Sequence, residues 1–182
     1  MKYFKKIEGE RIYLSPMNVE DAEKYIEWLT DKRVSDGLGS TKKLLSVEAE
    51  REWITDCLKN GRYQFAIIRK EDDTLLGNCG FNGTNFIEWG AEIGLFIGDE
   101  ENRSKGYGAE VIELLLNYGF NYLNLHNICL HVYSFNERAM ACYKKVGFKE
   151  CGRRHEAYRA NGKWYDIIEM EILEKEYRNR KW

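Results

Sequence analysis

The stretch from Ala91 to Tyr122 contains the residues whose types and spacing are best suited to chemistry. An alternating run, Ala91-Glu92-Ile93-Gly94-Leu95-Phe96-Ile97, precedes a polar loop, the sequence Arg103-Ser104-Lys105-Gly106-Tyr107-Gly108 and a long amphipathic segment. This order predicts a strand, an anion-binding turn and a helix. The two glycines leave the backbone open, and the amides of Ser104 to Ala109 then point out of a helix N-terminus, where the helix dipole favours negative charge. Such a turn can hold a phosphate group.

The glycine pair by itself is weak support, because a glycine-rich turn often does no more than begin a helix. The strand before it and the helix after it favour phosphate binding. The pattern is not the dinucleotide-binding fingerprint, which needs three glycines, nor the Walker loop, in which Gly-Lys is followed by Ser or Thr. A nucleotide-binding protein would share the phosphate site, but the chain lacks the Walker lysine and any recognised magnesium-ligand motif.

Composition predicts a single domain over residues 1–182. The chain is 43% apolar and 14% aromatic, enough to bury one sizeable core, and no Pro/Gly/Ser-rich linker divides it. The net charge of −2 gives no basic field that would draw the protein onto nucleic acid or an anionic membrane. A small or locally presented substrate fits better, with a monomer or homodimer as the expected assembly.

Cysteine and histidine usage indicates neither a disulfide framework nor a metal site. The five cysteines are odd in number and show no C-x-x-C spacing, and the three histidines have no metal-ligand spacing. The N-terminus has no apolar run behind its lysines, and no stretch of 18 apolar residues occurs. We expect reduced thiols, no metal, no signal peptide, no membrane span and a cytoplasmic location.

Periodicity predicts an α/β protein with a mixed sheet of about six or seven strands and about four helices. A strand at Arg11–Met17 is followed by helices that Asn18 and Ser46 can cap. A hairpin around residues 71–73 comes next, and glycines in its second arm suggest a bulge or the close approach of another group. The other elements predicted for the chain are a helix at 109–122, a strand at 127–135 and a helix at 136–146 that ends at Gly147. Two further strands, at 148–158 and 164–173, are predicted to be joined by a hairpin at Asn161-Gly162. The charged tail at 174–182 is expected to be peripheral.

Two motifs in this order resemble the GNAT superfamily of N-acetyltransferases. The first is Arg103-Ser104-Lys105-Gly106-Tyr107-Gly108, which matches Gln/Arg-x-x-Gly-x-Gly/Ala. The second, about thirty residues on, is Asn136 before a helix, Tyr143 seven residues later, and then Gly147-Phe148 opening a strand. Finer features, including Ala-Glu-Ile-Gly at 91–94, resemble the subgroup of ribosomal-protein N-terminal and spermidine acetyltransferases. Many members have Gly in place of Ser104, and the loop Asp99–Asn102 is one residue longer than the usual loop and contains three acids.

The resemblance implies acetyl-CoA as the acetyl donor and a splayed central pair of strands that admits it. Its pyrophosphate would bind Arg103, Ser104, Lys105, Gly106, Tyr107 and Gly108. Its pantetheine would lie against the backbone of Leu95, Phe96 and Ile97, whose side chains can equally be core. Asn136 would cap a helix and contact the cofactor as well.

The resemblance also implies how protons move. An amine attacks a thioester only when neutral, and free alkyl amines have a pKa of about 10, so a base or a water chain must remove a proton. Glu92 is the leading base, because it alternates away from Ala91 and Ile93 and matches a glutamate with that role in some histone-acetylating members. It can instead be a structural carboxylate, and Glu88 and Glu156 are alternatives. Tyr143 would donate to the departing sulfur, unless it is a core tyrosine.

The leading interpretation is therefore an acetyl-CoA-dependent N-acetyltransferase acting on a primary amine, either a protein N-terminus or a small amine. A polyamine or aminoglycoside acetyltransferase is the alternative within the enzyme class. A non-catalytic acyl-CoA-binding module would keep Arg103–Gly108 but would need neither Tyr143 nor a base, so the presence of Tyr143 and Glu92 favours an enzyme.

Overall fold

Eight strands and six helices follow one another in the computed structural model, which describes residues 2–180. The strands are β1 (Ile7–Glu8), β2 (Ile12–Pro16), β3 (Gln64–Arg69), β4 (Leu75–Asn85), β5 (Gly90–Ile97), β6 (Asn127–Tyr133), β7 (Lys149–Ala160) and β8 (Lys163–Leu173). The helices are α1 (Ala22–Thr30), α2 (Lys32–Leu38), α3 (Val47–Lys59), α4 (Tyr107–Asn121), α5 (Glu137–Val146) and α6 (Glu174–Arg178). The sheet order is β1-β2-β3-β4-β5-β6-β8-β7.

The described chain divides into two compact units, residues 2–81 with 94–114 and residues 82–93 with 115–180. In the first unit, β1, β2, β3 and the first part of β4 pair antiparallel. Strand β3 carries four successive buried residues, Phe65–Ile68, as expected for a strand covered on both faces. The predicted hairpin between β3 and β4 is confirmed. The unit also contains a core of helix and loop side chains, namely Met17, Ala22, Tyr25, Trp28, Val34, Ile54 and Cys57.

The glycines of β4 are explained by close contacts between backbones. A Cβ on Gly77 would lie 1.9 Å from the carbonyl oxygen of Phe96, and a Cβ on Gly80 would lie 2.4 Å from that of Tyr63. Both distances are far below van der Waals contact, so only glycine fits. The predicted close approach of another group is thus confirmed, and at Gly77 that group is the last part of β5.

In the second unit, the start of β5 pairs parallel with β6, from Gly90↔Asn127 to Glu92↔Cys129. Strand β6 then pairs antiparallel with β8 along its whole length, and β7 pairs with β8. The turn between β7 and β8 has positive φ at both Asn161 (49°) and Gly162 (78°), the geometry of a type I′ hairpin. The hairpin predicted from Asn161-Gly162 is confirmed, whereas the splay of β5 from β6 stays a prediction.

Several helices begin or end at the capping residues that the sequence predicts. The Asn136 side chain accepts from the Ala139 amide at 3.2 Å and so begins α5, which ends at Gly147 with φ of 109°. Ser46 likewise caps α3 through the Ala49 amide at 3.1 Å. Asn18 caps a 3-10 turn, Val19–Asp21, from which α1 continues.

The predicted counts of six or seven strands and about four helices are too low. The additional elements are short: β1 has two residues, α2 seven and α6 five, and segments of this length show no periodicity. Helix α2 forms because Asp31 caps it, and it ends at Gly39, whose φ is 65°. Helix α6 occupies the predicted tail and contains an Arg178–Glu174 ion pair at 2.6 Å. Lys181 and Trp182 of that tail lie outside the described residues.

Among residues 2–180 no helix has the length and apolar character that crossing a membrane requires, and no group of three or more His, Cys, Asp and Glu side chains is gathered as metal ligands would be. The five cysteines are all free. The single domain predicted over residues 1–182 stays a prediction.

Candidate active site

The turn before α4 has an unusual backbone conformation. Ser104 and Gly106 both have positive φ, 59° and 87°, on either side of Lys105, and alternation of this kind turns successive amides toward one point. Helix α4 begins at Tyr107, and the Gly106 carbonyl accepts from the Glu110 amide at 3.2 Å. The first amides of a helix have no partner within it. The turn and the helix start therefore present N–H groups together.

Arg11 holds this turn in place. Its Nη1 donates to the Lys105 carbonyl at 2.9 Å, its Nε donates to Glu110 Oε2 at 3.0 Å, and its guanidinium lies 4.9 Å from the centre of the Tyr107 ring. The Arg11 amide also donates to Glu110 Oε1 at 2.8 Å. A Cβ on Gly106 would lie 3.2 Å from Arg11 Nη2. Sequence reasoning missed Arg11, because it stands 94 positions before Lys105 and no local pattern marks it.

Arg103 is turned toward the end of β5. Its Nε donates to the Ile97 carbonyl at 3.1 Å and its Nη2 donates to the Gly98 carbonyl. These bonds fix the start of the turn to the strand that precedes it. The role predicted for Arg103 at the pyrophosphate stays a prediction.

Two of the three acids in the Asp99–Asn102 loop, Asp99 and Glu100, are paired with cations on α1 and α2. Asp99 accepts from Trp28 Nε1 at 2.8 Å and from Lys24 Nζ at 3.3 Å, and Glu100 is paired with Arg33. A Cβ on Gly98 would lie 2.0 Å from the Trp28 ring, so glycine is required where the loop leaves β5. Asp99 and Glu100 are thus paired with cations that lie outside the turn at residues 103–108.

The predicted pantetheine segment is half-buried. Leu95, Phe96 and Ile97 all have intermediate exposure, and the Phe96 ring packs against Tyr25 and Trp28 at centroid distances of 6.3 and 6.1 Å. Phe96 therefore belongs to the helix-facing core of the first unit. This does not compete with a binding role for the backbone, since the two use different atoms.

Glu92 and His131 form a pair in the second unit. Ala91 and Ile93 are buried, at 5% and 3% exposure, and the Glu92 side chain between them is 37% exposed, as the alternation predicts. Glu92 Oε1 lies 2.7 Å from His131 Nδ1. This hydrogen bond raises the pKa of His131 above its usual 6.5, against the opposing effect of burial. Sequence reasoning had considered His131 only as a metal ligand.

Tyr143 and Asn136 also lie in the second unit. Tyr143 is half-buried in α5, its ring centroid is 6.2 Å from that of Phe148, and burial raises the pKa of its phenol to about 12. The Asn136 side chain is engaged in the helix cap. The structure thus brings Glu92, Tyr143 and Asn136 into one unit, and the turn with Leu95–Ile97 into the other.

The alternative bases Glu88 and Glu156 are both exposed, and the choice between them and Glu92 stays a prediction. Glu88 is exposed, and its amide donates to Asn85 Oδ1 at 3.2 Å. Glu156 is exposed with a positive φ of 49° at an irregularity of β7. The Tyr133 and Tyr158 rings pack together with centroids 4.2 Å apart, while Trp89 and Trp164 are about half exposed.

Comparison with known proteins gives a consistent result. The model of the acetyltransferase (GNAT) domain matches residues 11–149. An uncharacterised N-acetyltransferase, p20 of Bacillus licheniformis, is 30% identical over 172 residues, which is 92% of this chain and 96% of that protein. Spermidine N(1)-acetyltransferase of Vibrio cholerae is 34% identical over 114 residues, 63% of this chain and 65% of that protein.

The fold is shared with solved acetyltransferases. The crystal structure of Vibrio cholerae spermidine N-acetyltransferase in complex with CoA and spermine has a TM-score of 0.84 and 25% identity, covering 93% of this chain and 99% of that one. A dodecameric structure of the Vibrio cholerae enzyme has a TM-score of 0.79 and 26% identity, covering 94% and 99%.

Proposed function

Because this chain belongs to the GNAT acetyltransferase family, we propose that it transfers the acetyl group of acetyl-CoA to a primary amine by direct attack of the amine on the thioester. The observation that carries the proposal is the turn at residues 103–108. Its backbone presents amides at a helix N-terminus, and Arg11 adds positive charge beside them. Family members use acetyl-CoA, whose pyrophosphate is the anion that such a turn suits.

The residues of the turn fit this co-substrate. Gly106 has a φ of 87°, and a side chain there would meet Arg11, so the position requires the open backbone that a phosphate can approach. In our proposal Arg103, Ser104, Lys105, Gly106, Tyr107 and Gly108 bind the pyrophosphate. The backbone of Leu95–Ile97 binds the pantetheine, and Asn136 adds a contact besides its helix cap.

Tyr143 is the proposed proton donor to the leaving sulfur. A thiol has a reference pKa of about 8.5, so a phenol with a pKa of about 12 remains protonated while it stabilises the developing thiolate. Glu92 is the proposed carboxylate that serves proton removal from the amine, directly or through another group. Its exposure between two buried neighbours supports this role.

The acceptor is proposed to be a protein N-terminus or a small amine. Likeness to the spermidine acetyltransferases makes a polyamine the first small amine to test. An aminoglycoside is the other small-amine candidate. A monomer or homodimer and a cytoplasmic location complete the proposal, and light scattering after size exclusion measures the assembly.

The deciding experiment is an acetyl-CoA turnover assay that reads the released thiol across polyamines, N-terminal peptides and aminoglycosides. We expect release above the amine-free rate with at least one class, and formation of the acetylated amine in equal amount. Acetyl-CoA binding without release for any class would favour the non-catalytic acyl-CoA-binding module. No binding at all would refute the co-substrate as well.

A further inference from the structure

We propose that His131, rather than the carboxylate of Glu92, takes the proton from the acceptor amine, and that Glu92 is the positioning residue that orients the imidazole. This inference rests on the proposed acetyl transfer. It assigns the proton step to a residue that the sequence did not single out for catalysis. The two residues come from neighbouring parallel strands, β5 and β6.

The geometry of the pair gives Glu92 and His131 different roles. Glu92 Oε1 lies 2.7 Å from His131 Nδ1, so in the neutral imidazole the ring hydrogen lies on Nδ1 and is donated to the carboxylate. The lone pair then lies on Nε2. The described part of the chain offers Nε2 no hydrogen-bond partner, and the side chain is 41% exposed. His131 is also the exposed position in β6 between buried Leu130 and Val132. Nε2 is therefore the atom that can accept a proton from a substrate.

The groups around His131 favour the charged form that proton transfer creates. Glu92 on β5 and Glu169, its partner on β8, both stabilise the imidazolium, whereas Arg154 on β7 and partial burial oppose it. The Tyr133 ring lies edge-on at a centroid distance of 6.1 Å. The pKa of His131 is accordingly raised from 6.5. Imidazole has a reference pKa of about 6.5 and a carboxyl group one of about 4, and a base is most effective when its pKa is near the working pH.

His131, Tyr143 and solvent together account for every proton that moves in the proposed transfer. An N–H bond of the ammonium breaks, the proton bonds to Nε2, and the amine lone pair becomes free to attack the acetyl carbonyl. As the C–N bond forms and the C–S bond breaks, Tyr143 passes its proton to the sulfur while the second amine proton replaces it, so no free phenolate forms. The imidazolium, held by Glu92, returns its proton to solvent. One proton is released for each acetyl group transferred.

The test compares pH profiles of kcat/KM for the wild type, His131→Asn and Glu92→Gln. Asparagine retains a donor in place of Nδ1 but has no counterpart of Nε2, so His131→Asn removes the base while keeping a donor toward Glu92. We expect a loss of about 10²-fold or more near neutral pH, shrinking as pH approaches the pKa of the amine, where the substrate arrives neutral. Glu92→Gln should cost less and should move the acidic inflection to lower pH, because the imidazole loses its charged partner.

The matched control is His155→Asn. His155 Nδ1 also lies near a carboxylate, Asp166 Oδ2, at 3.4 Å, but its side chain is 77% exposed and the proposal gives it no role. We expect its profile to match the wild type. NMR titration of the His131 imidazole provides a readout without activity: its pKa should fall in Glu92→Gln.

The outcomes separate the two proposals. Absence of thiol release from the wild type with every amine would overturn the proposed function and this inference with it. Wild-type activity with an unaffected His131→Asn and an inactive Glu92→Gln would overturn only the inference and make Glu92 the base. A loss in His131→Asn that is equal at every pH, together with a lowered melting temperature, would also overturn it by indicating a structural role.

Discussion

Tyr143 keeps its proton at any ordinary assay pH, because burial raises the pKa of its phenol to about 12. A buried phenol of this kind is a poor base and a dependable hydrogen-bond donor. The sulfur that leaves in the proposed reaction becomes charged only as the C–S bond breaks. A donor aimed at it would therefore stabilise the transition state more than the ground state, which is what accelerates a reaction.

Tyr143→Phe should keep the affinity for CoA and lower kcat by about 10²-fold, since it removes one hydroxyl that matters as the sulfur leaves. The melting temperature should change little. Tyr122→Phe is the control, because that tyrosine is 68% exposed and has no proposed role. Pre-steady-state measurement is needed to establish that chemistry limits turnover. Wild-type chemistry in Tyr143→Phe would remove the phenol from the mechanism.

The Glu92–His131 pair also predicts how stability depends on pH. The folded pKa of His131 is raised above its unfolded value of 6.5, so the charged pair stabilises the fold fully below about pH 6.5, and the effect is lost as pH rises through the folded pKa. His131→Asn should therefore lower the melting temperature more at about pH 5.5 than at about pH 8.5. The pair is partly exposed, so the difference should be at most a few degrees. A larger deficit at the higher pH would contradict this prediction.

At the scale of elements, the turn at residues 103–108 depends on parts of the chain far from it. Arg11, at the end of the loop before β2, contacts the carbonyl of Lys105 and the side chain of Glu110. Lys24 and Trp28 on α1 hold Asp99. The glycine pattern alone thus provides the flexible backbone, and neighbouring elements fix its conformation.

Gly106→Glu should abolish the stabilisation of the protein by acetyl-CoA or CoA. The new side chain places bulk and negative charge in the turn, where a Cβ already lies 3.2 Å from Arg11. In the wild type, ligand at about 100 times Kd should add about 2.7 kcal/mol, or roughly 5–10 °C in melting temperature. The change is read by thermal unfolding with and without ligand.

The control is Gly61→Glu. Gly61 also has a positive φ, 61°, but no atom lies within 4 Å of its Cβ position. Gly61→Glu therefore introduces the same kind of backbone strain as Gly106→Glu, but outside the turn at residues 103–108. We expect its ligand shift to equal that of the wild type. A folded Gly106→Glu protein with a full ligand shift would refute the phosphate assignment.

At the scale of the whole molecule, we predict that the chain unfolds in one cooperative transition. Strands β4 and β5 and helix α4 each contain residues of both compact units, so melting one unit would interrupt three elements part-way along their length. Urea unfolding followed by far-UV circular dichroism and by tryptophan fluorescence should give coincident curves. Trp28 reports on the first unit, and Trp89 and Trp164 on the second. Separate midpoints would contradict the single domain predicted from composition.

The sequence by itself determined the features whose causes are local. The Asn136 cap, the helix end at Gly147 and the Asn161-Gly162 hairpin all follow from residues within a few positions of one another. A turn type or a cap depends on allowed φ and ψ values and on one short hydrogen bond. Those constraints act before any tertiary contact forms.

Only the tertiary structure decided which distant groups meet. Arg11 reaches the turn across 94 positions and Trp28 reaches Asp99 across 71, while Glu92 and His131 meet because β5 and β6 pair in parallel. A charged side chain on a strand has many possible partners in the sequence, and the register of the sheet selects one of them. The short elements β1, α2 and α6 were likewise beyond sequence reasoning, since segments this short show no period and are instead held by caps, ion pairs and neighbouring strands.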